Sequence, residues 1–178
     1  MRYRLVAVGG TFDMLHRGHR ALLEKAFEVG ERVIIGVTSD PFAKKLHKPH
    51  KVDPYEDRMK ALEDFLRERG YLHRASIVKL SDPYGPAVED GEIEALIVSE
   101  RTRDRGAEIN RIRAAKGLRP LDLIKVDLVK AEDSKPISTT RIRRGKIDRE
   151  GRVIKGADKS QKSNGSSTFH FPKESFEA

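Results

Sequence analysis

Residues 2–8 (RYRLVAV) form an apolar run that ends abruptly at Gly9-Gly10, and a helix-patterned stretch follows. An apolar run without alternation suits a strand buried on both faces, and glycines at its end allow a tight turn. Similar runs recur at 32–37 (RVIIGV), 76–80, 94–98 (EALIV) and 121–129. Between them lie stretches of helical spacing: 18–29 with Ala21, Leu22, Ala26 and Val29, 53–69 with Met59, Leu62 and Leu66, and 106–116 closed by Gly117. A short helix at 138–144 stops at Gly145, and residues 38–52 read as a loop carrying Lys44, Lys45, Lys48 and Lys51. At Asp53-Pro54-Tyr55-Glu56 the pattern is an N-cap acid, a first-turn proline and a capping-box glutamate. Strands and helices that alternate in this way specify an α/β protein. The expectation is one Rossmann-like, doubly wound domain with a five-stranded parallel sheet and ligands at the carboxyl ends of the strands.

Composition narrows the function. The 178 residues include no Cys, which excludes disulfides, thiolate nucleophiles and thiolate metal sites. No apolar run approaches the ~20 residues of a membrane-spanning helix, so a cytoplasmic protein without membrane partners is expected. The net charge is +8. The last 28 residues hold five of the 36 Lys/Arg and three of the 28 Asp/Glu, which leaves 31 against 25, or +6, for 1–150. That excess fits polyphosphate substrates as well as RNA. Residues 1–150 contain no Gln and only Asn110 as an amide, a bias resembling thermophilic proteins. The tail departs from it: 159–168 (KSQKSNGSST) has no apolar residue. The expected division is therefore a domain at 1–150 and a polar, disordered tail at 151–178.

The segment GGTFDMLHRGH (9–19) joins the first strand to the first helix, where such folds bind phosphates. Gly9 and Gly10 let the backbone approach a ligand, and Thr11 offers a hydroxyl. His16 and His19, three apart, share one side of a first helical turn, and Gly18 clears space for a nucleotide. Nucleotidyl transfer needs positioned substrates and neutralised charge at the α-phosphate, which histidine donors supply. Two other readings exist: Asp13, His16 and His19 as a facial metal set, or histidines that merely cap a helix. A second segment, KPISTTRIRRG, puts Ser138, Thr139 and Thr140 at a helix start ahead of Arg141, Arg143 and Arg144. Three hydroxyls exceed the needs of one N-cap, and together with the guanidinium groups they form a phosphate clamp.

Together, GGTFDMLHRGH and ISTTRIR resemble the (T/S)-x-x-H-x-G-H and I-S-S/T-T signatures of a nucleotidyltransferase superfamily. Within it, residues 1–150 are similar to the archaeal and eukaryotic type of phosphopantetheine adenylyltransferase, through TSDPFAKK, DPYGPA, LIVSERT, GAEINRIR and AEDSKPISTTRIRRGKID. The resemblance implies reversible adenylyl transfer from ATP to 4′-phosphopantetheine, giving dephospho-coenzyme A and pyrophosphate, with Mg²⁺ bound with ATP. By position it implies that Thr11 contacts the acceptor phosphate, His19 stabilises the α-phosphate and His16 helps bind the triphosphate. Lys44 or Lys45 would neutralise the reacting phosphates, and Gly10, Phe12 and Gly18 would complete the ATP loop. Asp82, Tyr84 and Gly85 would meet the pantetheine arm, although Pro-Tyr-Gly-Pro also makes an ordinary turn. Glu108 or Asn110 would meet ribose or adenine, while Ser138, Thr139, Thr140 and Arg141 would hold the adenine side and the outer phosphates.

The bacterial enzymes carry Arg-Gly-Leu-Arg where this chain has Ser99-Glu100-Arg101-Thr102, so those contacts do not transfer; Arg101 or Arg105 stand as replacements. The bacterial hexamer is not expected to transfer either, and a monomer is favoured. Rival readings are an FMN adenylyltransferase, a cytidylyltransferase, and a basic nucleotide- or RNA-binding module without turnover. Asp133-Ser134-Lys135-Pro136 replaces the cytidylyltransferases' Arg-Thr-x-Gly, and DPYGPA ranks FMN lower. Aromatics total only 6% with no stacking platform, so no nucleic-acid partner is expected.

Overall fold

A computed structural model describes residues 2–156. The chain runs β1 (Tyr3–Gly10), α1 (Arg17–Val29), β2 (Gly30–Thr38), α2 (Asp40–Lys45), α3 (Tyr55–Glu68), β3 (Ala75–Leu80), β4 (Ala95–Val98), α4 (Arg103–Ala115), β5 (Asp122–Lys125) and α5 (Thr139–Arg143). Single 3₁₀ turns precede β3 at Leu72–Arg74 and β4 at Gly85–Val88. The five strands are parallel, in the order β3-β2-β1-β4-β5. Strand order reverses between β1 and β4, the switch point at which open α/β sheets leave a crevice. This is the expected Rossmann-like architecture.

β1 shows why the sheet is two-sided. Val6 and Val8 point into one core with Leu22, Leu23, Ala26 and Phe27 of α1 and Leu62, Phe65 and Leu66 of α3. Leu5 and Ala7 point into a second core with Ile109 of α4, Val88 and Leu121. Alternate side chains of one strand thus serve two helical layers, so the run reads as uniformly apolar. Leu23, Leu62 and Leu66 are fully covered, each burial being worth about 1.5–3 kcal/mol.

Three local expectations need correction. The 38–52 loop contains α2, begun by Ser39, whose Oγ accepts the Phe42 N–H at 3.2 Å. Asp53 does not cap α3, since its carboxylate is drawn to Arg143 at 2.9 Å. Asp40 Oδ1 takes the Tyr55 N–H at 2.9 Å instead, and Pro54 stands at the cap. β5 ends at Lys125 rather than 129, because β4 beside it ends at Val98.

Packing continues past residue 150. The Glu132 N–H donates to Gly151 O at 2.9 Å, and Ile147 bridges Val153. Gly151 has a φ of 87°, and a Cβ there would lie 2.7 Å from Ile137 Cδ1. The polar stretch 159–168 and the three late Phe residues lie outside the described residues. Among those described, no helix is long and apolar enough to cross a membrane.

Candidate active site

The chain leaves β1 through a loop in an uncommon conformation. Phe12 and Met14 both have left-handed backbones, with φ of 52° and 59°. Each costs about 1–3 kcal/mol for a residue with a side chain, so the surroundings must hold the loop. Phe12 is fully buried, with its ring centroid 5.5 Å from that of His19. Arg58, reaching from α3, donates to Thr11 O at 2.8 Å, and Thr139 of α5 donates its hydroxyl to Asp13 O at 3.0 Å. Thr11 is buried behind these anchors.

His16 and His19 cap α1 reciprocally. His16 Nδ1 accepts N–H bonds from Gly18 at 3.1 Å and His19 at 3.3 Å, and His19 Nδ1 accepts the His16 N–H at 3.1 Å. This is a capping box made of two imidazoles, their rings stacked 3.6 Å apart. An accepting Nδ1 carries no proton, so each ring keeps its hydrogen on Nε2 as the outward donor. Burial pushes the His16 pKa down to about 3, assisted by the positive charges of Arg101, Arg20, Lys48 and Arg149. The two rings are thus neutral donors inside a positive basin. Gly18, expected to clear space for a nucleotide, clears it for His16: a Cβ there would lie 2.9 Å from His16 Cε1.

The facial metal set does not assemble. The Nδ1 atoms face backbone N–H groups, and both Asp13 oxygens accept from Arg143 at 3.0 Å. Among the described residues, no group of three or more His, Asp or Glu could hold a metal.

The second motif forms α5 beside this loop. Ser138 caps it by accepting the Arg141 N–H at 3.3 Å. Thr140 is half-buried. Arg141 donates to Pro136 O at 2.8 Å, to Lys135 O and to the Asp133 carboxylate, so it braces the approach to α5. Of the expected clamp, then, Ser138, Thr139 and Arg141 already have intramolecular roles.

Two concave regions lie at the carboxyl ends of the strands. One is apolar, lined by Ala7, Gly9, Ile34, Leu80, Pro83, Tyr84, Leu96, Val98, Thr102, Arg105 and Ile109. The other is lined by His16, Gly18, Leu22, Ser99, Arg101, Val126, Asp127, Leu128, Val129 and Ile137. Arg101 therefore belongs to the histidine side and Arg105 to the apolar side. A third, cationic recess beside the loop gathers Lys44, Lys48, Lys51 and His50; Lys45 is exposed outside that lining.

At the mouth of the apolar pocket, the Tyr84 hydroxyl donates to Glu108 Oε1 at 2.5 Å, and Arg105 donates to Glu108 Oε2 at 3.2 Å. The Arg105 guanidinium lies 5.6 Å from the Tyr84 ring centroid. The hydrogen bond to Glu108 raises the Tyr84 pKa. Glu108, expected near ribose, thus stands beside Tyr84. Asn110 uses both ends of its amide on Leu121, accepting its N–H at 2.8 Å and donating to its carbonyl at 3.0 Å, which closes α4 onto β5. Asp82 accepts the N–H groups of Tyr84 and Gly85, each at 2.8 Å, and so shapes the turn that presents Tyr84.

Sequence reasoning did not single out Arg58 or the pairing of Asp13 with Arg143, and it read Asp53 only as a helix cap. Arg58 is buried although it falls in a helix rich in charge, and nothing local distinguishes it from solvated neighbours. The sequence does place Asp13 in the first motif and Arg143 in the second, but only the fold shows that they meet.

Comparison with known proteins agrees with this geometry. The cytidylyltransferase-like family model matches residues 7–145. The phosphopantetheine adenylyltransferase of Methanothermobacter thermautotrophicus is 51% identical over 154 residues, 86% of this chain and 92% of that protein. That of Pyrococcus abyssi is 43% identical over 155 residues, 87% and 98% of the two chains. Among solved structures, a protein of unknown function from Archaeoglobus fulgidus superposes with a TM-score of 0.63 at 33% identity, covering 78% of this chain and all of that one. A lipopolysaccharide core biosynthesis protein from Thermoplasma volcanium, at TM-score 0.55 and 19% identity (69% of this chain, 95% of that one), shares the fold. Sequence, fold and motif geometry agree: the chain belongs to the cytidylyltransferase-like family and, within it, to the phosphopantetheine adenylyltransferases.

Proposed function

We propose that this protein is a nucleotidyltransferase that moves the adenylyl group of ATP onto 4′-phosphopantetheine, releasing pyrophosphate and forming dephospho-coenzyme A, a step of coenzyme A biosynthesis. The observation that carries the reading is the capped pair His16 and His19 at the start of α1, with Arg101 beside His16 and an apolar pocket lined by Gly9 of β1 and Val98 of β4. The polyphosphate fits the basin around His16, His19 and Arg101. The arm of the acceptor (a gem-dimethyl group, a hydroxyl, two amides and a thiol) fits the apolar pocket beside Tyr84. A monomer in the cytoplasm remains the working expectation.

In the reaction an oxygen of the acceptor phosphate attacks the ATP α-phosphorus. The new P–O bond forms as the bond to the α–β bridging oxygen breaks, and that oxygen leaves with pyrophosphate. A phosphate monoester has a second pKa of about 6, so the nucleophile needs no base at neutral pH. The Nε2–H groups of His19 and His16 donate to oxygens that gain charge, while Thr11 orients the acceptor phosphate. Neutral rings bring no net charge, so Arg101 and the Lys44–Lys48–Lys51 recess offset the phosphate charge. Among the described residues there is no carboxylate cage for Mg²⁺; the ion fits as cargo of the ATP phosphates, which suits its preference for phosphate and water ligands.

The test supplies ATP and Mg²⁺ with 4′-phosphopantetheine, FMN or glycerol 3-phosphate, with CTP as the alternative nucleotide, and follows pyrophosphate. Release only with ATP and 4′-phosphopantetheine is expected. Release with FMN or CTP would overturn the substrate assignment, and no release with any pair would overturn the reaction.

A further inference from the structure

A buried cation beside the second core takes no part in the chemistry above. Arg113, on the last turn of α4, is fully covered, although Arg111, Ala114 and Lys116 close to it in the chain are exposed. A buried guanidinium must find acceptors, and Arg113 finds them on the carbonyls of two loops. Nε donates to Arg119 O at 2.8 Å, and Nη1 donates to Ala87 O at 2.8 Å and to Asp90 O at 2.9 Å. Nη2 is buried without a hydrogen-bond partner among the described residues, which costs stability rather than adding it. What the other two nitrogens supply is a fixed geometry, because a planar guanidinium anchored through Nε on one loop aims Nη1 at the other.

Residues 105, 109 and 113 are four apart and share one face of α4. Arg105 and Ile109 line the apolar pocket, as do Pro83, Tyr84, Pro86 and Ala87 from the turn before β4. α4 grips that turn at two points. Glu108 accepts the Tyr84 hydroxyl near its start, and Arg113 holds the Ala87 and Asp90 carbonyls near its end. Within the turn, the Ala87 N–H donates to Tyr84 O at 3.2 Å and the Asp90 N–H to Pro86 O at 2.8 Å, so the segment moves as a unit. Leu80 also packs against Gly85, where a Cβ would lie 2.4 Å from Leu80 Cδ2, but an apolar contact sets no direction.

We propose that Arg113 is a positioning residue for acceptor binding: its bonds to the Ala87 and Asp90 carbonyls hold the 83–90 turn at a fixed separation from α4 and so set the width of the apolar pocket. The inference rests on the reading of that pocket as the place of the acceptor's aliphatic arm. A lysine at 113 carries its donors on one nitrogen, so it reaches one loop without bridging both.

The experiment measures steady-state kinetics of Arg113→Lys with ATP and 4′-phosphopantetheine. The acceptor KM is expected to rise roughly tenfold, the scale of a misfit of one methylene in an apolar pocket, at unchanged KM for ATP and nearly unchanged kcat. A purely structural role would lower the Tm and the active fraction while leaving both KM values at those of the wild type. That result, or equal rises in both KM values, would overturn the proposal. Arg113→Gln, shorter and neutral, takes its place if the lysine variant does not fold. Amide hydrogen exchange gives a readout free of turnover: it should quicken over residues 84–91 and stay as in the wild type over residues 22–27 of α1. Unaltered exchange over 84–91, or equal quickening in both segments, would count against the brace as decisively. Absence of turnover in the wild type would sink the proposed reaction, and the exchange result would then judge the brace alone.

Discussion

An imidazole that accepts a backbone N–H through Nδ1 can serve a phosphate only through Nε2, and His16 and His19 are both tied in this way. The helix cap therefore fixes which nitrogen of each ring can donate. His19→Ala should lower kcat about a hundredfold, as loss of a transition-state charge partner does, while ATP affinity changes little; kcat with a calorimetric Kd checks both. His16 gives a pH prediction. Its folded pKa of about 3 lies below the ordinary 6.5, so between those values the unfolded chain binds the extra proton. Stability due to His16 is then complete above about pH 6.5 and is lost as pH falls toward 3, by up to about 1.4 kcal/mol per pH unit. Urea unfolding at pH 7 and pH 4.5 should show a larger loss in the wild type than in His16→Asn. Parallel losses would mean that the ring is protonated inside the fold.

The elements differ in how openly the chain declared them. β1 and β4 are legible because each serves two cores, which removes alternation and leaves an apolar run. The glycines at 9 and 10 and the His16–His19 spacing placed the site at the first crossover. α2 was hidden, although Ser39-Asp40-Pro41 carries its start signal, because a lysine-rich stretch reads as loop. The cap of α3 misled: Asp53 has the right chemistry, but a partner 90 residues away takes its carboxylate. Asn110 looked available because sequence cannot show that Leu121 uses both ends of its amide. Arg58 and Arg113 were illegible for the same reason; charged side chains on helices are usually solvated, and these two are buried on carbonyl partners. Placing Glu108 against Tyr84 yields an element-level prediction for the turn after β3 and α4. Tyr84→Phe should raise the acceptor KM by roughly fivefold to tenfold, the scale of one hydrogen bond, with the KM for ATP unchanged. An acceptor KM equal to that of the wild type would remove Tyr84 from the acceptor pocket.

At the scale of the molecule, the parallel sheet decides where chemistry is located. Strand order reverses between β1 and β4, with an apolar pocket at the carboxyl ends of these strands and a separate recess holding His16 and Arg101. A net charge of +8 suits a polyphosphate in that recess. Under the proposed function the apolar pocket takes the largely aliphatic arm of the acceptor, beside Tyr84 and its turn. The most direct test of this arrangement follows the α-phosphorus itself, by incubating the protein with α-labelled ATP, Mg²⁺ and 4′-phosphopantetheine and separating the products. The account predicts label in dephospho-coenzyme A and none in pyrophosphate; label retained in ADP, with phosphate transferred from the γ-position, would contradict it.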